Sequence, residues 1–132
     1  TCAGMILLAH KLDNDSNIYF GALDAVVRRN AYGRQLGSFV ATADFGSSSG
    51  DSAVVVAPGE HVPQDAPADI VLKDFPLVFI RGPFVAEVGP AATVETSVDG
   101  NVVGLRQGKI LATAFHPELT DDTRIHELFL SL

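Results

Sequence analysis

The sequence has little with which to cross-link itself or to hold a polyanion. A single cysteine, Cys2, excludes an internal disulfide and any multi-cysteine metal site. It leaves one thiol that is either buried filler or a reactive group in a reducing compartment. Basic residues are scarce: nine Lys and Arg stand against sixteen Asp and Glu, a net charge of −7 with a sequence pI near 4.8. A phosphate backbone calls for clustered cations, so nucleic acid is not an expected partner. Long apolar runs are missing too. A spanning helix needs roughly 18 such residues, and the stretch from Met5 to Ala9 falls far short. A soluble, cytoplasmic protein with no membrane contact is expected. What the chain does have is apolar content, 47% of 132 residues, enough for the core of one domain spanning 1–132. It opens at Thr1 with an apolar helix under way, and an upstream segment is expected.

The run Phe115-His116-Pro117-Glu118-Leu119 offers an imidazole and a carboxylate at a chemically useful spacing. Pro117 biases His116 toward extended backbone, where residues two apart face the same side. A carboxylate accepting from one ring nitrogen fixes the tautomer and frees the other nitrogen to exchange a proton with a nucleophile. The bland alternative is that Pro117 and Glu118 simply open a helix. The missing nucleophile has a candidate at the other end, where Thr1-Cys2-Ala3-Gly4 turns sharply into the apolar run after Gly4. A cysteine at a helix N-terminus feels the positive end of the dipole, which lowers its pKa; a small buried hydrophobe is the competing reading.

Between these ends, Lys11 to Asn17 reads as a polar loop, and Leu23 to Val27 as a strand for which Ser38 to Ala43 can return as partner. Arg28, Arg29 and Arg34 flank that connection, either as solvated surface or as a clamp for a carboxylate. Residues 46–69, rich in Ser, Gly and Pro, read as a flexible excursion, with a short edge strand at Val54–Val56 and a solvated His61. Leu77 to Ile80 is an apolar run typical of a strand buried on both faces, closed by Arg81-Gly82-Pro83. Arg81 either reaches solvent or stands at a strand end where ligands bind. Thr93 to Phe115, with turns at Asp99-Gly100 and Gly108, reads as a meander that delivers His116. From Thr120 a capped helix is expected, with Ile125, Leu128, Phe129 and Leu132 at helical spacing.

Taken together, these segments resemble the glutaminase subunit family of pyridoxal 5′-phosphate synthase, class I, triad-type glutamine amidotransferases. Four stretches carry the likeness in order: Thr1-Cys2-Ala3-Gly4-Met5-Ile6-Leu7-Leu8, Arg29-Asn30-Ala31-Tyr32-Gly33-Arg34-Gln35, Phe79-Ile80-Arg81-Gly82-Pro83, and Phe115-His116-Pro117-Glu118-Leu119-Thr120 with Asp121-Asp122. The resemblance implies an α/β fold, a flavodoxin-like mixed sheet flanked by helices, without the family's N-terminal βα units and their glycine-rich segment. The 46–69 stretch looks like an insertion relative to shorter relatives. It further implies that Cys2 is the nucleophile, His116 the general acid and base, and Glu118 its orienting residue. Arg29, Ile80 and Arg81 would bind glutamine, and the Ala3 amide would serve the oxyanion. Neither cofactor nor metal is implied. The products would be glutamate and ammonia, the ammonia passing to a synthase partner that also activates the glutaminase; hydrolase and lyase are the enzyme classes expected.

Three other readings compete. One is the glutaminase of another class I amidotransferase, such as imidazole glycerol phosphate synthase, against which the Arg29 and Arg81 motifs argue. A second takes Thr1 as an N-terminal nucleophile and leaves His116 and Glu118 unexplained. The third is a non-catalytic fragment that only binds the synthase.

Overall fold

A computed structural model describes residues 1–13, 15–29, 39–46 and 53–132. Helix α1 (Ala3–Leu8) runs directly into β1 (Ala9–Leu12), followed by β2 (Leu23–Arg28), β3 (Phe39–Phe45), β4 (Val54–Val56) and β5 (Ile70–Phe79). Then come β6 (Phe84–Val88), β7 (Thr93–Val98), β8 (Asn101–Gln107), β9 (Ile110–Thr113), a single 3-10 turn at Pro117–Leu119, and α2 (Arg124–Leu130). The strands make two sheets. The larger runs β1-β2-β6-β8-β7, with β9 also on β8; the smaller runs β3-β5-β4. Parallel pairing occurs at β1–β2 and β4–β5, and the other pairs are antiparallel, so both sheets are mixed.

The meander from β7 to β9 forms as the turn residues require, with Asp99 at φ 51° and Gly100 at φ 80°, the left-handed pair that a tight hairpin demands. The expected pairing of the Leu23 strand with the one at Ser38–Ala43 does not form. Both edges of β2 are occupied, by β1 and by β6, and β3 lies instead along β5 with Phe39 opposite Phe79 and Ala43 opposite Phe75. Lys11 and Leu12 belong to β1 rather than to a loop, because Leu12 is buried beside Val27. The run Leu77 to Ile80 is buried on alternate residues only, since Leu77 and Phe79 are inside while Ile80 is exposed. Of the 46–69 stretch, 47–52 lie outside the described residues. The rest carries β4 as expected and sends Val56 and Val62 into the core.

The two sheets meet over an aromatic core. Phe115 stands among Phe45, Phe75 and Phe79 with ring centroids at 6.1, 6.5 and 5.8 Å. A side chain at Gly104 in β8 would collide with the Phe45 ring at 2.8 Å, so glycine is what lets the smaller sheet press this closely. Helix α2 buries Ile125 and Leu128 and leaves Phe129 half exposed. It begins at Arg124 rather than near Thr120, because Asp122 is drawn back onto the Arg124 guanidinium and backbone amide.

Candidate functional site

The site is assembled on the short run from Thr113 to His116, which leaves β9 and joins the two sheets. Its backbone is tied to three elements: the Thr113 carbonyl accepts from the Cys2 amide at 2.6 Å, the Ala114 amide donates to Val103 of β8 at 2.8 Å, and the His116 amide donates to Val78 of β5 at 2.8 Å. Phe115 is fully buried in the aromatic cluster. The backbone under His116 is thus fixed by packing as well as by hydrogen bonds. A cysteine and a histidine more than a hundred residues apart in sequence are brought to one strip of backbone.

His116 and Glu118 do pair, with Nδ1 and Oε1 2.5 Å apart. The route differs from extended alternation. Pro117 opens a single 3-10 turn, and that turn folds Glu118 back onto the ring. Pro117 thus opens a helical turn, and the same turn brings the two side chains together. Burial acts to raise the Glu118 carboxyl, but the hydrogen bond from His116, a backbone hydrogen bond and nearby positive charge together outweigh it and hold the group below its ordinary value. With Nδ1 engaged, Nε2 is the nitrogen left to handle a proton.

Cys2 sits on a sharp turn, φ 44° and ψ −104°, immediately before α1, and the Gly4 amide closes that turn on the Thr1 carbonyl at 2.7 Å. A non-glycine residue at this φ is strained, and such strain gathers at functional positions. The thiol is not acidified as its place at a helix start suggests. Burial pushes it up, the Ala3 amide pulls it partly back, and the Glu118 carboxylate adds to the rise. The six residues of α1 make a weak dipole, too small to offset desolvation. The same interactions put the Ala3 N–H beside the sulfur and the Glu118 charge within reach of it.

Ile80 and Arg81 follow β5 directly, two and three residues beyond the Val78 carbonyl that holds His116. Both are exposed, and Arg81 is left-handed at φ 45°. Cys2 is bonded to the strip directly, whereas Arg81 stands three residues beyond the Val78 carbonyl that holds it. Arg29 caps the end of β2 and pairs with Asp15 at 3.0 Å, while Arg28 pairs with Asp13 at 3.4 Å. The remainder of that motif, Asn30 to Gln35, lies outside the described residues. Two of the three expected clamp arginines therefore meet carboxylates of this chain. Sequence reading missed Thr113 and Val78, since a backbone carbonyl leaves no trace in residue type.

Among the described residues, no group of three His, Cys, Asp or Glu is arranged to hold a metal, and no helix is long and apolar enough to cross a membrane.

The model of the SNO glutamine amidotransferase family matches residues 1–132. The chain is 97% identical over all its 132 residues to pyridoxal 5′-phosphate synthase subunit PdxT of Bifidobacterium adolescentis, covering 64% of that protein. It is 74% identical to the subunit of the same name in Bifidobacterium longum and 42% identical to that of Koribacter versatilis, covering 60% and 57% of them. The chain thus spans a little under two thirds of the length of these relatives. A crystal structure of a glutamine amidotransferase superposes with a TM-score of 0.71 at 35% identity, over 98% of this chain and 56% of that one. One expectation is corrected by these matches. The lyase class does not stand, because the matched family is one of glutamine amidotransferases, and glutamine hydrolysis is a hydrolase's reaction. On the match along its whole length, the chain belongs to the SNO glutamine amidotransferase family.

Proposed function

We propose that this chain carries the glutamine-hydrolysing site of a pyridoxal 5′-phosphate synthase, converting L-glutamine to L-glutamate and ammonia in the cytoplasm and passing the ammonia to a synthase subunit. The observation that carries the reading is the His116–Glu118 pair at 2.5 Å, on a strip of backbone whose Thr113 carbonyl also holds Cys2. The names of the relatives favour this acceptor over that of imidazole glycerol phosphate synthase.

The raised thiol suits a start in which sulfur loses its proton as it attacks. Cys2 rests protonated, so His116 Nε2 takes its proton as sulfur attacks the side-chain amide carbon of glutamine. Glu118 holds the ring in the required tautomer and stabilises the imidazolium that forms. The Ala3 N–H, beside the sulfur at the start of α1, donates to the developing oxyanion. His116 then returns the proton to the departing nitrogen, ammonia leaves, and a γ-glutamyl thioester remains on Cys2. Water, deprotonated by the same ring, hydrolyses it to glutamate. Arg81 and Ile80 at the end of β5, with Arg29 at the end of β2, supply the contacts for glutamine's α-carboxylate and stem. An intact Cys2, His116 and Glu118 argue against a purely partner-binding role, and Thr1 as nucleophile would give His116 and Glu118 no part.

The test is ammonia release from glutamine by the full-length protein with its synthase partner. Release should vanish in Cys2→Ala while the complex still assembles. Turnover retained in that variant defeats the assignment.

A further inference from the structure

The peptide joining Phe115 to His116 is gripped at both poles. Its N–H donates to the Val78 carbonyl at 2.8 Å, and its carbonyl accepts from the Thr113 hydroxyl at 2.9 Å. The carbonyl of Thr113 is itself the acceptor for the Cys2 amide at 2.6 Å. We propose that Thr113 is a positioning residue, fixing nucleophile and base relative to one another by holding the Cys2 amide with its carbonyl and the peptide of His116 with its hydroxyl. This rests on the roles given above to Cys2 and His116.

The residue type is what makes the inference specific. Any amino acid offers a carbonyl at this position, and valine would suit the end of a strand equally well. Only serine or threonine adds a short hydroxyl that reaches the carbonyl two residues on. Thr113 is buried, and its β-branch restricts it at χ1, so the hydroxyl is held in place at little entropic cost. Without it the carbonyl pole of the Phe115–His116 peptide is held by packing alone, so the peptide tilts more about the Val78 bond and swings the imidazole relative to a sulfur held separately. Proton transfer between the two depends steeply on that geometry, whereas glutamine contacts at Arg81 and Ile80 do not involve Thr113.

The experiment uses the full-length protein with its synthase partner and compares Thr113→Val, Thr113→Ser and the parent. The valine variant should lose roughly ten- to a hundredfold in kcat, with KM for glutamine held within about twofold. The serine variant should recover most of that loss. The rate of Cys2 alkylation by iodoacetamide against pH gives a second readout: the limb that His116→Ala abolishes should also be lost in Thr113→Val and kept in Thr113→Ser. An unchanged kcat in Thr113→Val overturns the proposal, as does a serine variant as slow as the valine one, or a slow valine variant with the parent's alkylation profile. Where Thr113→Val does not fold, Thr113→Ser decides, since loss of the limb there overturns the proposal and its persistence supports it. If the parent releases no ammonia yet its alkylation limb still depends on the Thr113 hydroxyl, the hydrolytic reading fails and the positioning role stands.

Discussion

Within ten residues the chain carries two hydrogen-bonded side-chain pairs of the same spacing, His116–Glu118 and Asp122–Arg124, and it uses them in opposite ways. The Arg124 side chain is 2% exposed and its partner 17%, against 22% and 43% for His116 and Glu118. Arg124 commits all three side-chain nitrogens to the fold: Nη1 donates to the carbonyls of Val56 and Lys73, both at 2.7 Å, and Nε and Nη2 donate to Asp122. Its guanidinium also lies over the Phe75 ring at 5.4 Å. This pair pins α2 to β4 and β5. His116, by contrast, spends one ring nitrogen on Glu118 and keeps the other for exchange. A pair whose donors are spent on the fold is structural, and one with a ring nitrogen left over is available for chemistry.

Substitutions that break one pair and spare the other sharpen this contrast. His116→Ala should lower glutamine turnover by about 10²- to 10⁴-fold, the span of general acid–base catalysis, while leaving the thermal midpoint near that of the parent. Arg124→Met should do the reverse. Leaving the partly buried Asp122 and the carbonyls of Val56 and Lys73 without their donor should cost about 3–5 kcal/mol in denaturant unfolding, with turnover per folded molecule unchanged.

A weaker effect follows from acid. Burial pushes the Asp122 carboxyl up, but the bonds from Arg124 outweigh it and hold the group below its ordinary value. A depressed carboxylate stabilises the fold above its unfolded pKa, and that contribution is lost as pH falls through the folded one. The stability gap between parent and Arg124→Met should therefore be widest near neutrality and shrink below roughly pH 4. Smallest of all, Arg28→Ala removes an exposed 3.4 Å pair with Asp13 and should leave the midpoint where it was.

The same contrast explains what the sequence could disclose. The His116–Glu118 pair was legible because Pro117 constrains its neighbours locally, and the β7–β9 meander because Asp99-Gly100 and Gly108 supply left-handed turns. Arg124 was not legible. At that position in an amphipathic helix an arginine looks solvated, and only the arrival of Val56 and Lys73, more than fifty residues away in sequence, makes it a core residue. Strand β6 escaped notice because Glu87 and the preceding Gly82-Pro83 break its pattern, and the first half of β5 because Lys73-Asp74 interrupts its apolar run. The neighbours of β2 were out of reach for a different reason: pairing across sixty residues is decided by which edges remain open, and no local pattern records that. The thiol's pKa went the other way from its helix-start expectation because burial, a tertiary property, outweighed the local hydrogen bond from the Ala3 amide.

The chemistry assigned to Cys2 is tested most directly by rapid acid quench of the full-length protein and its synthase partner during glutamine turnover, followed by mass analysis of the peptides. A γ-glutamyl group on the peptide containing Cys2, accumulating before steady state, is the expected result. Ammonia release with that sulfur unmodified, or with the adduct on another side chain, would contradict it.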